Sequence, residues 1–138
     1  MIIVHQEFNQ NRSTVWNAIT QLDQMKQWYF NNIPEFQPEV GFSTQFLVKN
    51  NGKEFTHQWT VTEVIPKKRI TYDWMYKEYP GKGEVTFELS GINKKTILMV
   101  MNKGMNSFPG DVSEFSRNSC REGWEYFIQQ QLKNFLDK

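Results

Sequence analysis

The sequence predicts an α+β fold: a curved antiparallel sheet of six to seven strands wrapped around one long C-terminal helix, with two short helices after the first strand. Three observations carry this. From Trp59 to Trp74, apolar Trp59, Val61, Ile70, Tyr72 and Trp74 alternate with Thr60, Thr62, Thr71 and Asp73 around Pro66-Lys67-Lys68-Arg69. That is the pattern of two half-buried strands joined by a solvated turn, because Pro66 cannot donate to a ladder and three cations prefer water. Asn50-Asn51-Gly52 marks a second hairpin, since Asn-Gly accepts the positive φ of a tight turn. From Ser113 onward, Cys120, Trp124, Phe127, Ile128, Gln131, Leu132 and Phe135 recur at three- and four-residue spacing, with Arg121, Glu122, Glu125, Gln129 and Lys133 opposite. About 23 helical residues rising 1.5 Å each would span roughly 35 Å, enough to cross a sheet.

The elements follow in order. Ile3 to Phe8 reads as a first strand, and Asn11-Arg12-Ser13 caps a helix from Ser13 to Ile19. Thr20 followed by Asp23 repeats the cap pattern ahead of a second short helix, Leu22 to Lys26. Ile33-Pro34 and Pro38-Glu39-Val40-Gly41 are broken by prolines and glycine and suit an edge segment and a turn. Strands are expected at Phe42–Val48 and Phe55–Ile65, then across the basic turn to Trp74. Tyr79-Pro80-Gly81-Lys82-Gly83 reads as a turn into Glu84–Leu89, and Gly91 to Lys95 turns into Thr96–Met101. This last strand is apolar at both parities, as a strand covered on both faces would be. Asn102 to Val112 is a long irregular connection of the kind that often carries function.

At 138 residues the chain fits one domain, residues 1–138, with no repeats or low-complexity segments. Sixteen basic and fifteen acidic residues leave +1, which gives no general attraction to nucleic acid or anionic membrane. The single cysteine, Cys120, excludes an internal disulfide, and the opening apolar run is too short for a signal peptide or a membrane span. A cytoplasmic protein is expected. The sequence contains no G-x-G-x-x-G, P-loop, C-x-x-C, H-E-x-x-H or G-x-S-x-G, and two distant histidines with one cysteine do not make an ordinary zinc site. No cofactor and no metal are expected. Aromatic residues are 15% of the chain, so bulky rings supply much of the interior, either as plain core or as the wall of a cavity.

Four stretches and one tryptophan together carry a family resemblance: V-W-x-A-I-T at Val15 to Thr20 with the following Trp28, P-x-V-G-F at Pro38 to Phe42, V-x-E-V-x-P-x-x-R-I-x-Y-x-W at Val61 to Trp74, and G-W at Gly123-Trp124. The chain resembles the activator-of-Hsp-90-ATPase-like family of the START/Bet v-like (SRPBCC) superfamily. The resemblance implies the helix-grip fold and a hydrophobic cavity between sheet and long helix. Two positions depart from the family pattern. Trp59 stands where the family often carries glycine, so that an indole can fill much of the pocket. Asn102-Lys103-Gly104 replaces a frequent His-Ser-Gly after the last strand.

Strand parity places Phe46, His57, Trp59, Tyr72, Trp74, Phe87, Trp124 and Phe127 toward the interior, with Trp28, Phe30 and Phe108 near the mouth. These are the candidate cavity-lining residues, and a plain core would show the same pattern. His57 is the one histidine of inward parity, with no nucleophile or carboxylate beside it in sequence, so no catalytic residue is assigned. Glu63 is expected to pair with Arg69 across the hairpin. Cys120 is expected to be a small buried hydrophobe. The leading function is non-catalytic binding of a small hydrophobic or lipid-like ligand, with Tyr72, His57 and Asn102 as polar handles. The resemblance adds two alternatives, a co-chaperone that contacts a chaperone ATPase through its surface and a polyketide cyclase or aromatase-like enzyme.

Overall fold

The structure, a computed structural model, describes residues 1–138. Six strands form one antiparallel sheet: β1 (Ile2–Phe8), β2 (Ser43–Asn50), β3 (Lys53–Ile65), β4 (Arg69–Tyr76), β5 (Tyr79–Ser90) and β6 (Thr96–Lys103). Their order is β1-β6-β5-β4-β3-β2, so β2 to β6 run as a meander and β1 closes against the last strand. The sheet curves beneath the C-terminal helix, as the sequence predicts. Two short helices, α1 (Arg12–Thr20) and α2 (Leu22–Trp28), connect one edge strand to the other.

Local chemistry explains each junction. Asn51 (φ 52°) and Gly52 (φ 75°) make the tight turn between β2 and β3. At the next turn Lys68 N–H donates to Ile65 O at 2.9 Å, with Pro66 and Lys67 between them. Lys67 there has φ 63°, a position of a type II turn that favours glycine. Lys67→Gly is therefore expected to raise the unfolding free energy by about 0.5–1 kcal/mol in urea denaturation; a lower midpoint would contradict the turn assignment. Beside this turn, Arg69 lies 3.6 Å from Glu63 and 2.8 Å from Glu88, so the expected cross-hairpin pair is present and extends to a third strand.

Several boundaries differ from expectation. The segment from Ile33 to Gly41 forms no edge strand, although Ile33 and Phe36 are buried, so the sheet has six strands and not seven. Asn11 caps α1 by accepting from Thr14 N–H at 2.9 Å, but Thr20 does not cap α2; its hydroxyl donates back to Trp16 O at 2.7 Å. Pro80 lies inside β5 instead of a turn. Trp74 pairs with Gly83 and Tyr76 with Tyr79, so residues 80–82 bulge outward and the missing N–H of Pro80 is not needed by the ladder. Strand β6 is covered on one face only: Leu98, Val100 and Asn102 are buried, while Ile97 is 39% exposed on the other side.

The long helix starts later than the sequence suggests. Ser113–Phe115 is a 3-10 turn, and Ser116 caps α3 (Arg117–Glu125) by accepting from Ser119 N–H at 3.2 Å. The winding then widens to a π segment over Tyr126–Leu132 before α4 (Lys133–Leu136). Cys120, Trp124, Ile128, Leu132 and Leu136 recur every fourth residue and all face the core cluster. A 3.6-residue turn would carry that row progressively off one face, and a wider turn brings it back. The helix also lies along β1. Arg117 donates to Met1 O at 3.0 Å, Gln129 to His5 O at 3.1 Å, and Lys133 to Glu7 O at 3.4 Å. No helix is long and apolar enough to cross a membrane.

Candidate ligand cavity

Between sheet and helix the rings divide into a packed cluster and a small cavity. The cluster centres on Trp59, which is 1% exposed. Tyr29 stacks on it at 5.3 Å, Phe46 meets it edge-on at 4.9 Å, and Tyr72 and Trp74 lie 5.0 and 5.2 Å away. The indole thus occupies the middle of the space between sheet and helix. Its Nε1 has no hydrogen-bond partner, and neither does the hydroxyl of Thr44 on the opposing strand. Trp28 continues the stack on Tyr29 at 4.6 Å and donates to Ala18 O at 2.7 Å, so it belongs to the core and not to a mouth. Phe87 is buried against Tyr72 and Trp124.

Three polar side chains are locked within this cluster. The Tyr72 and Tyr29 hydroxyls share a hydrogen bond of 2.9 Å, and burial pushes both phenols well above their ordinary pKa. His57 is 5% exposed, stacked on Phe46 at 5.1 Å and flanked by Phe30, Trp74 and Tyr76. Its Nδ1–H donates to Phe55 O at 3.0 Å, and burial lowers its pKa to about 4. A neutral imidazole walled by rings has no proton partner, and neither His57 nor Tyr72 reaches the cavity as a handle.

The cavity, of about 140 Å³, lies toward the β4–β5 turn. Phe30, Trp74, Phe108, Trp124 and Phe127 bound it, while Trp28, Phe46, His57, Trp59, Tyr72 and Phe87 do not. Tyr76, Met105, Phe115, Cys120, Asn102, Glu114, Gly83 and Gly123 complete the wall. The β5 bulge shapes it. Lys82 N–H donates to the Ser107 hydroxyl at 2.9 Å, which draws the loop after β6 over the strand end. Gly104 (φ 85°) permits this approach, because a Cβ there would meet Lys82 O at 2.5 Å. Phe108 is thereby laid against Gly83, its ring 3.4 Å from where a side chain would begin. Phe108 and Phe115 then pack on Tyr76 at 5.3 and 5.0 Å.

Sequence parity carried one step beyond Trp74 reaches Tyr76. Met105, Glu114 and Phe115 sit in single 3-10 turns, too short for a period to report direction. Tyr29 stands in a Trp-Tyr-Phe run as α2 ends, and a run of three rings does not say which one turns inward.

The wall carries one charged side chain, Glu114. Lys53 of β3 lies 2.9 Å from the half-buried Glu114, whose pKa the hydrogen bond from that ammonium holds at about 2; Asn51 adds a bond of 3.4 Å. Cys120 is half-buried rather than core, its Sγ 3.9 Å from Glu114 O, and burial pushes its thiol pKa up. No base stands beside it, and no cluster of three His, Cys, Asp or Glu side chains could hold a metal ion. The arrangement can bury an apolar surface and offers no nucleophile–base pair.

A sequence model described as Activator of Hsp90 ATPase homolog 1-like protein matches residues 9–137. Among curated proteins, none matches in sequence. Several solved structures share the fold. Protein CV1439 from Chromobacterium violaceum superimposes with a TM-score of 0.80 at 19% identity, covering 99% of this chain and 96% of that one. The Aha1 dimer from Colwellia psychrerythraea gives 0.69 at 19% identity over 99% and 96% of the two chains. CalU16 from Micromonospora echinospora gives 0.63 at 19% identity over 97% and 74%.

Proposed function

This chain belongs to the Activator of Hsp90 ATPase homolog 1-like family, and from that premise we propose that it binds a small, largely apolar molecule in the cavity beneath the C-terminal helix without transforming it. The observation that carries the reading is the cavity, of about 140 Å³, nine of whose thirteen lining residues are hydrophobic. A volume of about 150 Å³ lined by apolar side chains is known to accept benzene. With Trp59 in place, the ligand is a single ring or the end of a longer molecule. A catalytic role finds no support in the wall, where the one thiol lacks a base and the one carboxylate is engaged by Lys53.

Indole and amide NMR shifts recorded during titration with small aromatic and aliphatic compounds test this. Saturable shifts at Trp74 and Trp124, with Trp28 and Trp59 unmoved, are the expected result. A well-dispersed spectrum that no compound perturbs would sink the reading. The family description favours one other, a co-chaperone acting by surface contact, and stimulation of a chaperone ATPase by a protein that binds none of the compounds would replace the first reading with the second.

A further inference from the structure

We propose, building on that ligand-binding reading, that the cavity selects a neutral single-ring aromatic bearing one hydrogen-bond donor, a phenol-like molecule whose hydroxyl is received by Asn102 Oδ1. Three observations converge on this chemistry.

The size sets the first limit. About 140 Å³ holds one ring, and a wall that includes the rings of Trp74, Phe108 and Phe127 favours a flat, polarisable occupant over a branched aliphatic one.

The second is an acceptor in the wall that no protein donor engages. Asn102 is 7% exposed and forms part of the wall. Its Nδ2 donates to Glu84 O at 3.5 Å, which fixes the orientation of the amide, and no protein donor reaches Oδ1. An acceptor left open in a largely apolar wall is where a ligand donor gains a hydrogen bond. Tyr76, on the same wall, keeps its proton because burial pushes its phenol up, and so presents a neutral hydroxyl.

The third is charge. Glu114 is the one ionised group of the wall, and Lys53 at 2.9 Å already satisfies it. A carboxylate ligand would find no free cation and would face Glu114. An ammonium would have to displace Lys53. Burying either charge without a partner is strongly unfavourable, whereas a neutral hydroxyl needs only the acceptor that is waiting.

The test uses the full chain at pH 7 with toluene, phenol, benzoate and benzylamine, followed at the Trp74 and Trp124 indoles. Phenol is expected to bind saturably, with benzoate and benzylamine at least about tenfold weaker. In Asn102→Leu, the ratio of the toluene to the phenol dissociation constant is expected to fall by about tenfold, a comparison in which the unequal hydrophobicity of the two compounds cancels. An unchanged ratio overturns the proposal, as does benzoate or benzylamine binding as tightly as phenol. The charged-ligand comparison uses the unaltered protein and decides the matter even if Asn102→Leu fails to fold. Binding of toluene but not phenol would refute this inference while leaving the ligand-binding reading intact. Binding of neither would end both.

Discussion

Trp59→Ala is expected to lower the unfolding free energy by about 3–5 kcal/mol, and Trp124→Ala by less, toward the lower end of that range. Both indoles are buried, at 1% and 6% exposure, so area alone would not separate them. Their surroundings do. Trp59 is touched on all sides, by Tyr29, Phe30, Phe36, Phe46, Tyr72 and Trp74, and its removal leaves a void that six packed rings cannot close. Trp124 packs on Tyr29, Trp74, Phe87 and Phe127 but has one side on space that is already empty. Urea denaturation of the two variants measures the difference. A larger loss for Trp124→Ala would mean that Trp59 is not the keystone of the cluster. Stabilities of small domains are about 5–15 kcal/mol, so Trp59→Ala is expected to approach the edge of folding.

Acid is expected to weaken the fold through His57. Its pKa in the folded protein is about 4, lowered by burial from the ordinary 6.5. Between those values the unfolded chain takes up a proton that the folded chain refuses, so the associated stability is present above pH 6.5 and is lost as pH falls to 4. The span corresponds to about 3 kcal/mol. Other groups titrate over the same range, and a variant isolates the contribution. His57→Phe keeps a ring among Phe30, Phe46, Trp74 and Tyr76 but carries no proton. The loss of stability between pH 7 and pH 4 should shrink by about that amount relative to the unaltered protein. Parallel pH profiles for the two proteins would show that the imidazole is already solvated or paired.

The fold was legible where signals are local. Asn51-Gly52 specifies a turn by its own backbone preference, the Trp59–Trp74 alternation specifies two strands, and Glu63 and Arg69 meet because the hairpin register brings them there. Regions governed by distant packing were not legible. Pro80 reads as a turn residue until the bulge opposite Trp74 and Tyr76 is known. The every-fourth-residue row from Cys120 to Leu136 is close enough to α spacing to pass for it, and only the contact with the sheet draws out the wider winding. The candidate site divides in the same way. Parity separates inward from outward, and so found Trp74, Trp124 and Phe127, but it cannot separate a ring packed by six neighbours from one beside a void. By parity alone Trp59 and Phe87 look no different from Trp74; only the departure from the family's glycine pointed to Trp59 as a ring that fills space. The wall supplied by Met105, Glu114 and Phe115 depends on how the loop after β6 folds back, which no repeat in the chain announces.

The three side chains that the C-terminal helix extends to the carbonyls of Met1, His5 and Glu7 have a bearing on assembly. A sheet ordinarily has two borders, and each invites an incoming strand to continue the ladder. Here three carbonyls of the β1 border already accept from Arg117, Gln129 and Lys133. On β2 only Asn32 engages a carbonyl, that of Leu47. The two borders are therefore unequal, and an incoming strand is expected to meet more competition for its hydrogen bonds on β1 than on β2.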